Sequence, residues 1–194
     1  MWYKGVSMEK TLKSYRSVVT LPDGAQVILR PLQQSDGQRL LDMFKRVSEG
    51  DLDYFRSDVR NQEVLEEWVT HLDYDRVFPL VAVADDRIVG DATLHFGTGP
   101  HHHIAEVRIF LVEEFRRRGL GTLMLQTLVQ LAKRMGLYQL VAEIPMEQSH
   151  VIKAFKTTGF SSKFIREDYF MTPDGLTHDV VVLTLRLVDR TGEF

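Results

Sequence analysis

Phe110-Leu111-Val112-Glu113-Glu114-Phe115-Arg116-Arg117-Arg118-Gly119-Leu120-Gly121-Thr122-Leu123-Met124-Leu125 decides how the rest of the chain is read. An apolar run reads as the end of a strand, a short basic turn carries two glycines, and apolar residues at helical spacing follow. A strand that enters a helix in this way presents the unpaired N–H groups of the first turn and the positive end of the helix dipole, which suit a phosphate. Gly119 and Gly121 let the backbone bend sharply and approach a ligand with no Cβ in the way. Arg116, Arg117 and Arg118 add positive charge. The stretch predicts a pyrophosphate cradle, with an ordinary tight turn as the plain alternative. Neither the Lys-Ser or Lys-Thr of a P-loop nor the third glycine of a dinucleotide turn follows.

Arg116-x-x-Gly119-x-Gly121 after an apolar strand resembles the acyl-CoA signature of the GNAT superfamily of N-acetyltransferases. Ala154-Phe155-Lys156-Thr157-Thr158-Gly159-Phe160 is similar to the closing helix and terminal Gly-Phe of that superfamily, and Arg30-Pro31-Leu32 before a polar helix start resembles its first strand and helix. The arrangement of Arg30-Pro31, Tyr54-Phe55-Arg56 and Ala105-Glu106 looks most like bacterial protein-lysine acetyltransferase domains. This resemblance implies an α/β (α+β mixed sheet) fold of GNAT type, with a central, mostly antiparallel sheet splayed at the acyl-CoA site and flanked by helices. Residues 1–16 then form an N-terminal extension, 17–188 the acetyltransferase domain and 189–194 a tail.

The bulk properties agree with one globular domain: 194 residues, 44% hydrophobic and 26% charged. A net charge of −3 gives no reason to expect nucleic acid or an anionic membrane as partner, whereas a local basic turn fits a small anion. The absence of cysteine excludes disulfides, thiol nucleophiles and thiolate metal sites. The N-terminus lacks a secretory pattern, and no apolar run approaches the roughly 20 residues of a bilayer span, so a soluble, cytoplasmic protein is expected. His101-His102-His103 have no carboxylate or cysteine at a fitting spacing, and neighbours on an extended chain point to alternate faces, so no metal is expected.

Periodicity predicts a hairpin around Pro22-Asp23-Gly24 and a helix from about Asp36 to Val47 with Ser35 and Gln38 as a capping box. A second helix is expected around Val64 to Leu72, after an acidic and aromatic loop. Three successive strands follow at Phe78 to Ala84, Ile88 to Phe96 and Ile104 to Val112, then a helix from Leu120 to Met135 ended by Gly136. The remainder reads as a strand (Leu137 to Ile144), a helix (Gln148 to Thr157) and two strands (Lys163 to Phe170, Val180 to Leu187) about a second Pro-Asp-Gly turn.

The resemblance also implies roles. Acetyl-CoA is the co-substrate, its pyrophosphate on the amides of Arg116 to Thr122 (Arg116, Arg117, Arg118, Gly119, Leu120, Gly121, Thr122) and its pantetheine beside Phe110, Leu111 and Val112, with Gln148 as a further contact. A backbone N–H near Leu111, often at a bulge, polarises the acetyl carbonyl. Glu106 stands where several relatives carry a glutamate base, with a raised pKa as the suitable property; an ion pair with Arg108 on the same strand face is the other reading, and Glu143 is the reserve. Phe155 replaces the tyrosine that often protonates the leaving thiolate, leaving His150 and Tyr138 nearby. Tyr54, Phe55 and Arg56 are the candidate contacts to the acceptor, a primary amine on a protein lysine, a polyamine or another small molecule, acetylated by direct transfer in a ternary complex. A homodimer is possible, and a CoA-binding module without turnover is the competing reading.

Overall fold

Alternating and continuous apolar runs organise the chain into a single sheet with helices on both faces. The structure is a computed structural model that describes residues 12–188. The extension expected at residues 1–16 thus lies mostly outside the described residues, as does the tail at 189–194. Leu12 and Tyr15, just inside, pack against the main core.

In chain order the elements are β1 (Ser17–Thr20), β2 (Gln26–Pro31), α1 (Gly37–Phe44), α2 (Glu49–Leu52), α3 (Gln62–Thr70), β3 (Val77–Ala84), β4 (Arg87–Phe96), β5 (Ile104–Leu111), α4 (Leu120–Arg134), β6 (Gln139–Pro145), α5 (Ser149–Thr157), β7 (Ser161–Met171) and β8 (Thr177–Arg186). The strands lie in the order β1-β2-β3-β4-β5-β6-β8-β7. Every neighbouring pair is antiparallel except β5 and β6, whose connection through α4 is the crossover that a parallel pair requires.

That parallel pair is short. Ile104, Ala105 and Glu106 pair with Gln139, Leu140 and Val141, and there the ladder stops. β5 nevertheless continues against β4 as far as Leu111, and β6 against β8 as far as Pro145. The two central strands therefore part toward their C-terminal ends, which is the expected splay.

Side-chain alternation gives each face its own core. Ala105, Val107, Leu140, Ala142 and Ile144 pack with Leu120, Met124, Leu125 and Leu128 of α4 and Phe155 of α5. On the opposite face, Val81, Val83 and Ile88 pack with Leu40, Leu41 and Phe44 of α1 and Leu65 and Val69 of α3.

Two local readings need correction. The cap before α1 is made by Gln33 and Asp36 rather than by Ser35 and Gln38. Arg30 reaches the fully buried Asp36 carboxylate at 2.8 Å and the Gln33 amide reaches it at 2.9 Å, so the buried charge fixes the turn, while Gln38 bonds Asp42 within the helix. The loop between the first two helices contains the single-turn α2, capped by Ser48. Four residues are too few to show a helical period.

Candidate active site

Gly119 takes φ +84° as the N-cap of α4, and no side chain caps the helix. The first intrahelical bond runs from the Leu123 amide to the Gly119 carbonyl, so the amides of Leu120, Gly121 and Thr122 have no helical acceptor. A Cβ on Gly121 would stand 3.3 Å from Leu111 Cδ1, so glycine lets this turn lie close on the end of β5. Arg117 takes φ +56°, and such left-handed steps gather successive N–H groups into an anion-binding concavity.

The three arginines are not equivalent. Arg116 donates from Nε to the Leu111 carbonyl at 2.9 Å and from Nη2 to Asp51 at 2.7 Å, and its own amide bonds the Glu113 carbonyl. Arg118 bonds Asp23 and the Glu114 carbonyl and stacks on Phe115. Both therefore hold the turn, one against α2 and the other against the β1–β2 hairpin. Arg117 is exposed and has no partner among the described residues.

Strand parity decides which backbone groups face the gap. The Gly97 amide bonds the Ile104 carbonyl and the Val112 amide bonds the Val89 carbonyl, so even-numbered residues of β5 direct their polar groups toward β4. Odd-numbered ones turn the other way, as the His103 carbonyl does in accepting from Tyr138 and Gln139. Of Phe110, Leu111 and Val112, only Leu111 thus aims its N–H into the gap. No bulge is needed for this: the β4–β5 register runs unbroken, and the irregularity lies between Ala82 and Val83 on β3.

Glu106 and Arg108 share the sheet face of α1 and α3 with the residues paired opposite them, His95 and Thr93. Arg108 grips Glu106 with two bonds of 3.0 and 2.9 Å. From the loop, Arg56 lies 2.9 Å from Glu106 and 2.7 Å from Glu143, across the splayed strands, and Arg166 of β7 takes the other Glu143 oxygen at 2.7 Å. The ion-pair reading of Glu106 is the one the geometry shows.

Burial opposes ionisation of Glu106, but the Arg108 hydrogen bond and the charges of Arg108 and Arg56 outweigh it and hold its pKa below the ordinary value. The raised pKa expected of a base is not found there. Burial, reinforced by Arg108, pushes His95 down to about 4, so this imidazole is neutral near pH 7 and bonds Thr93 at 2.9 Å.

The loop residues fan out from one point. Phe55 packs on Phe44 and Phe110 with centroids 5.4 and 5.2 Å away. Tyr54 donates to Glu147 at 2.9 Å, and Glu147 also meets His178 of β8. Burial, together with the Glu147 carboxylate, pushes the Tyr54 hydroxyl up to about 12. The pairing of Arg108 with Glu106 was expected from their places on one strand face, whereas Arg166 and His178 on the last two strands and Glu147 in the turn after β6 carry no local pattern that marks them.

Of the remaining candidates, Gln148 precedes α5 with its side chain making no capping bond. Phe155 is buried, with its ring 4.9 Å from that of Phe160. His150 is exposed, and Tyr138 packs on His103 near the start of β6, away from the open end of the gap.

Residues 40–160 match the family model described as Acetyltransferase (GNAT) family. A [Ribosomal protein bS18]-alanine N-acetyltransferase of Salmonella typhimurium is 26% identical over 114 residues, 57% of this chain and 72% of that protein. Among solved structures, the ribosomal-protein-S5-alanine acetyltransferase of Vibrio fischeri superposes with a TM-score of 0.76 at 17% identity, covering 86% of this chain and 96% of that one. A Salmonella typhimurium protein described as an acetyltransferase and solved with its cofactor acetyl-CoA superposes with a TM-score of 0.72 at 15% identity, covering 86% and 96%.

Proposed function

The chain belongs to the GNAT acetyltransferase family, and from that premise we propose that it transfers an acetyl group from acetyl-CoA to a primary amine within a ternary complex. The observation that carries this reading is the uncapped start of α4 lying beside the gap into which Leu111 turns its N–H. The amides of Leu120, Gly121 and Thr122, with the exposed Arg117, suit the pyrophosphate. The gap beyond Glu106 and Val141 leaves strand amides free to pair with the amide groups of pantetheine, and the Leu111 N–H suits the developing oxyanion. Arg116 and Arg118 serve this site by holding the turn.

The acceptor enters over Glu106 and Glu143, two carboxylates already paired with arginine. Three arginines accompany those two carboxylates, a balance that offers little to a polycation such as a polyamine. It supports a single amine on a protein or a small molecule. The ribosomal-protein-alanine acetyltransferases among the relatives point to a protein-borne amine as well. With Phe155 buried in the core, no acid stands at that position, and CoA departs as thiolate.

The same substitution favours the second reading, a CoA-binding module without turnover. Calorimetric titration with acetyl-CoA, against CoA lacking its 3′-phosphate and ATP, tests the cofactor. Thiol release with lysine and N-terminal alanine peptides then separates the two readings. Absence of saturable acetyl-CoA binding would overturn both.

A further inference from the structure

Asp91 lies on β4, paired with Val81 of β3 on one side and Phe110 of β5 on the other. Residues facing each other across antiparallel strands share a sheet face, so Asp91 shares the face of Glu106 and Arg108. Its level along the strands is different. Glu106 pairs with His95, four residues farther along β4 and roughly 13 Å away at the strand rise. Leu111 pairs with Gly90, the residue next to Asp91, so this carboxylate stands at the level where the acetyl carbonyl would meet its donor.

The other carboxylates on this face are occupied. Glu106 and Glu143 each receive two arginines. Among the described residues nothing donates to Asp91, and no fully buried side-chain oxygen goes without a partner, so the Asp91 oxygens keep some access to solvent. The surrounding charged and titratable groups all have partners of their own: Arg30 with Asp36, Arg39 with Asp86, Arg56 with Glu143, His95 with Thr93, Arg108 with Glu106, and Arg116 with Asp51. Burial alone, with no charge contributing, pushes the Asp91 pKa up to about 7. A half-buried carboxylate that titrates near neutrality without a charge partner has the properties of a general base.

We infer that Asp91 is the group that takes the proton from the acceptor ammonium, a role that rests on the acetyltransferase reading above. The Asp91 carboxylate accepts one proton, leaving a neutral amine. The amine lone pair forms the C–N bond to the thioester carbon while the carbonyl electrons move to oxygen, opposite the Leu111 N–H. Collapse breaks the C–S bond, and the second nitrogen proton passes to the departing thiolate, giving CoA and the amide. Asp91 then returns its proton to water, so one proton is released per turnover.

The test uses the full chain. Carbon-13 NMR of aspartate carboxyls, with and without acetyl-CoA, should show one group titrating near neutrality that disappears in Asp91→Asn. With the amine peptide that wild type turns over best, Asp91→Asn should lower kcat/KM on the order of a hundredfold. The wild-type rise of kcat/KM through neutrality should be lost as well. Hydroxylamine, already uncharged at neutral pH, should lose far less, a contrast that a merely structural role would not produce. An Asp91 carboxyl titrating below pH 5, or equal losses with both nucleophiles, would overturn the inference while acetyl-CoA binding stands. Failure of wild type to bind acetyl-CoA would instead remove the acetyltransferase reading on which it rests.

Discussion

Arg116 and Arg117 are neighbours in a run that looks like three equal phosphate ligands, yet the structure predicts opposite consequences for their loss. In Arg116→Met the Nε bond to the Leu111 carbonyl at 2.9 Å disappears, a charge-assisted bond worth about 1.5 kcal/mol. The pair with Asp51 at 2.7 Å goes with it; since the side chains are 32% and 29% exposed, solvent screening limits its share to about 0.5 kcal/mol. The variant should therefore lose about 2 kcal/mol in urea unfolding. Asp51→Asn alone should cost about 1 kcal/mol, and the double variant about as much as Arg116→Met, giving a coupling of about 1 kcal/mol. Arg117→Ala should leave stability within about 0.5 kcal/mol. Its acetyl-CoA Kd should instead rise roughly tenfold, with a shallower salt dependence. The sign of the pH effect follows from Asp51. Burial opposes its ionisation, but the Arg116 and Ser48 hydrogen bonds prevail and lower its folded pKa. Its contribution is present above the ordinary carboxylate value and is lost as pH falls through the folded one, so Arg116→Met should be less acid-sensitive than wild type. Additive single and double variants, or an Arg116→Met protein of wild-type stability that no longer binds acetyl-CoA, would refute the division of labour.

Phe155→Tyr would place a hydroxyl in a 2% exposed site against Phe160; a loss of about 1–3 kcal/mol without faster turnover is expected, and a gain in kcat would show that the ring reaches the thiolate. Asp36→Asn should cost about 3–5 kcal/mol at pH 7 by leaving Arg30 unpaired in a buried site. Burial raises the Asp36 pKa, but Arg30 and the Gln33 amide outweigh it, so wild-type stability should fall with acid below the ordinary carboxylate range and the variant should lack that component. Arg56→Ala, which leaves Glu106 with Arg108 alone and Glu143 with Arg166 alone, should change acceptor KM with little change in acetyl-CoA Kd; equal effects on both by kinetics and calorimetry would contradict its placement on the acceptor side.

The sheet, the crossover helix and the glycine turn before it were legible because each leaves a local trace. A continuous apolar run marks β3, alternation marks β4 and β5, seven buried positions on one stripe mark α4, and Gly119 sits where φ is positive. Of the electrostatics of the site, only the Glu106–Arg108 pair, two residues apart on one strand face, left such a trace. Asp51 with Arg116, Asp23 with Arg118 and Arg56 with Glu143 join residues distant in sequence, so which arginines are structural emerges only once the turn is packed. Asp91 reads in the sequence as one polar residue in an alternating strand. What separates it from Glu106 is register against β5 and the absence of a cation, and neither has a sequence signature.

One short segment joins the glycine turn to both parted strands. Ser48 caps α2, α2 presents Asp51 to Arg116 of the cofactor turn, Phe55 fills the space between Phe44 and Phe110, and Arg56 spans Glu106 and Glu143 on the two parted strands. Tyr54 closes the far side through Glu147 and His178. An acceptor that displaces Arg56 from the carboxylates therefore pulls on the residues that position Asp51, and a ligand that draws Arg116 toward its phosphates must break the same contact from the other end. If the two substrates bind as proposed, they share a loop rather than a charge, any coupling free energy between them acts in both directions by linkage, and residues 48–56 are a contiguous path for it.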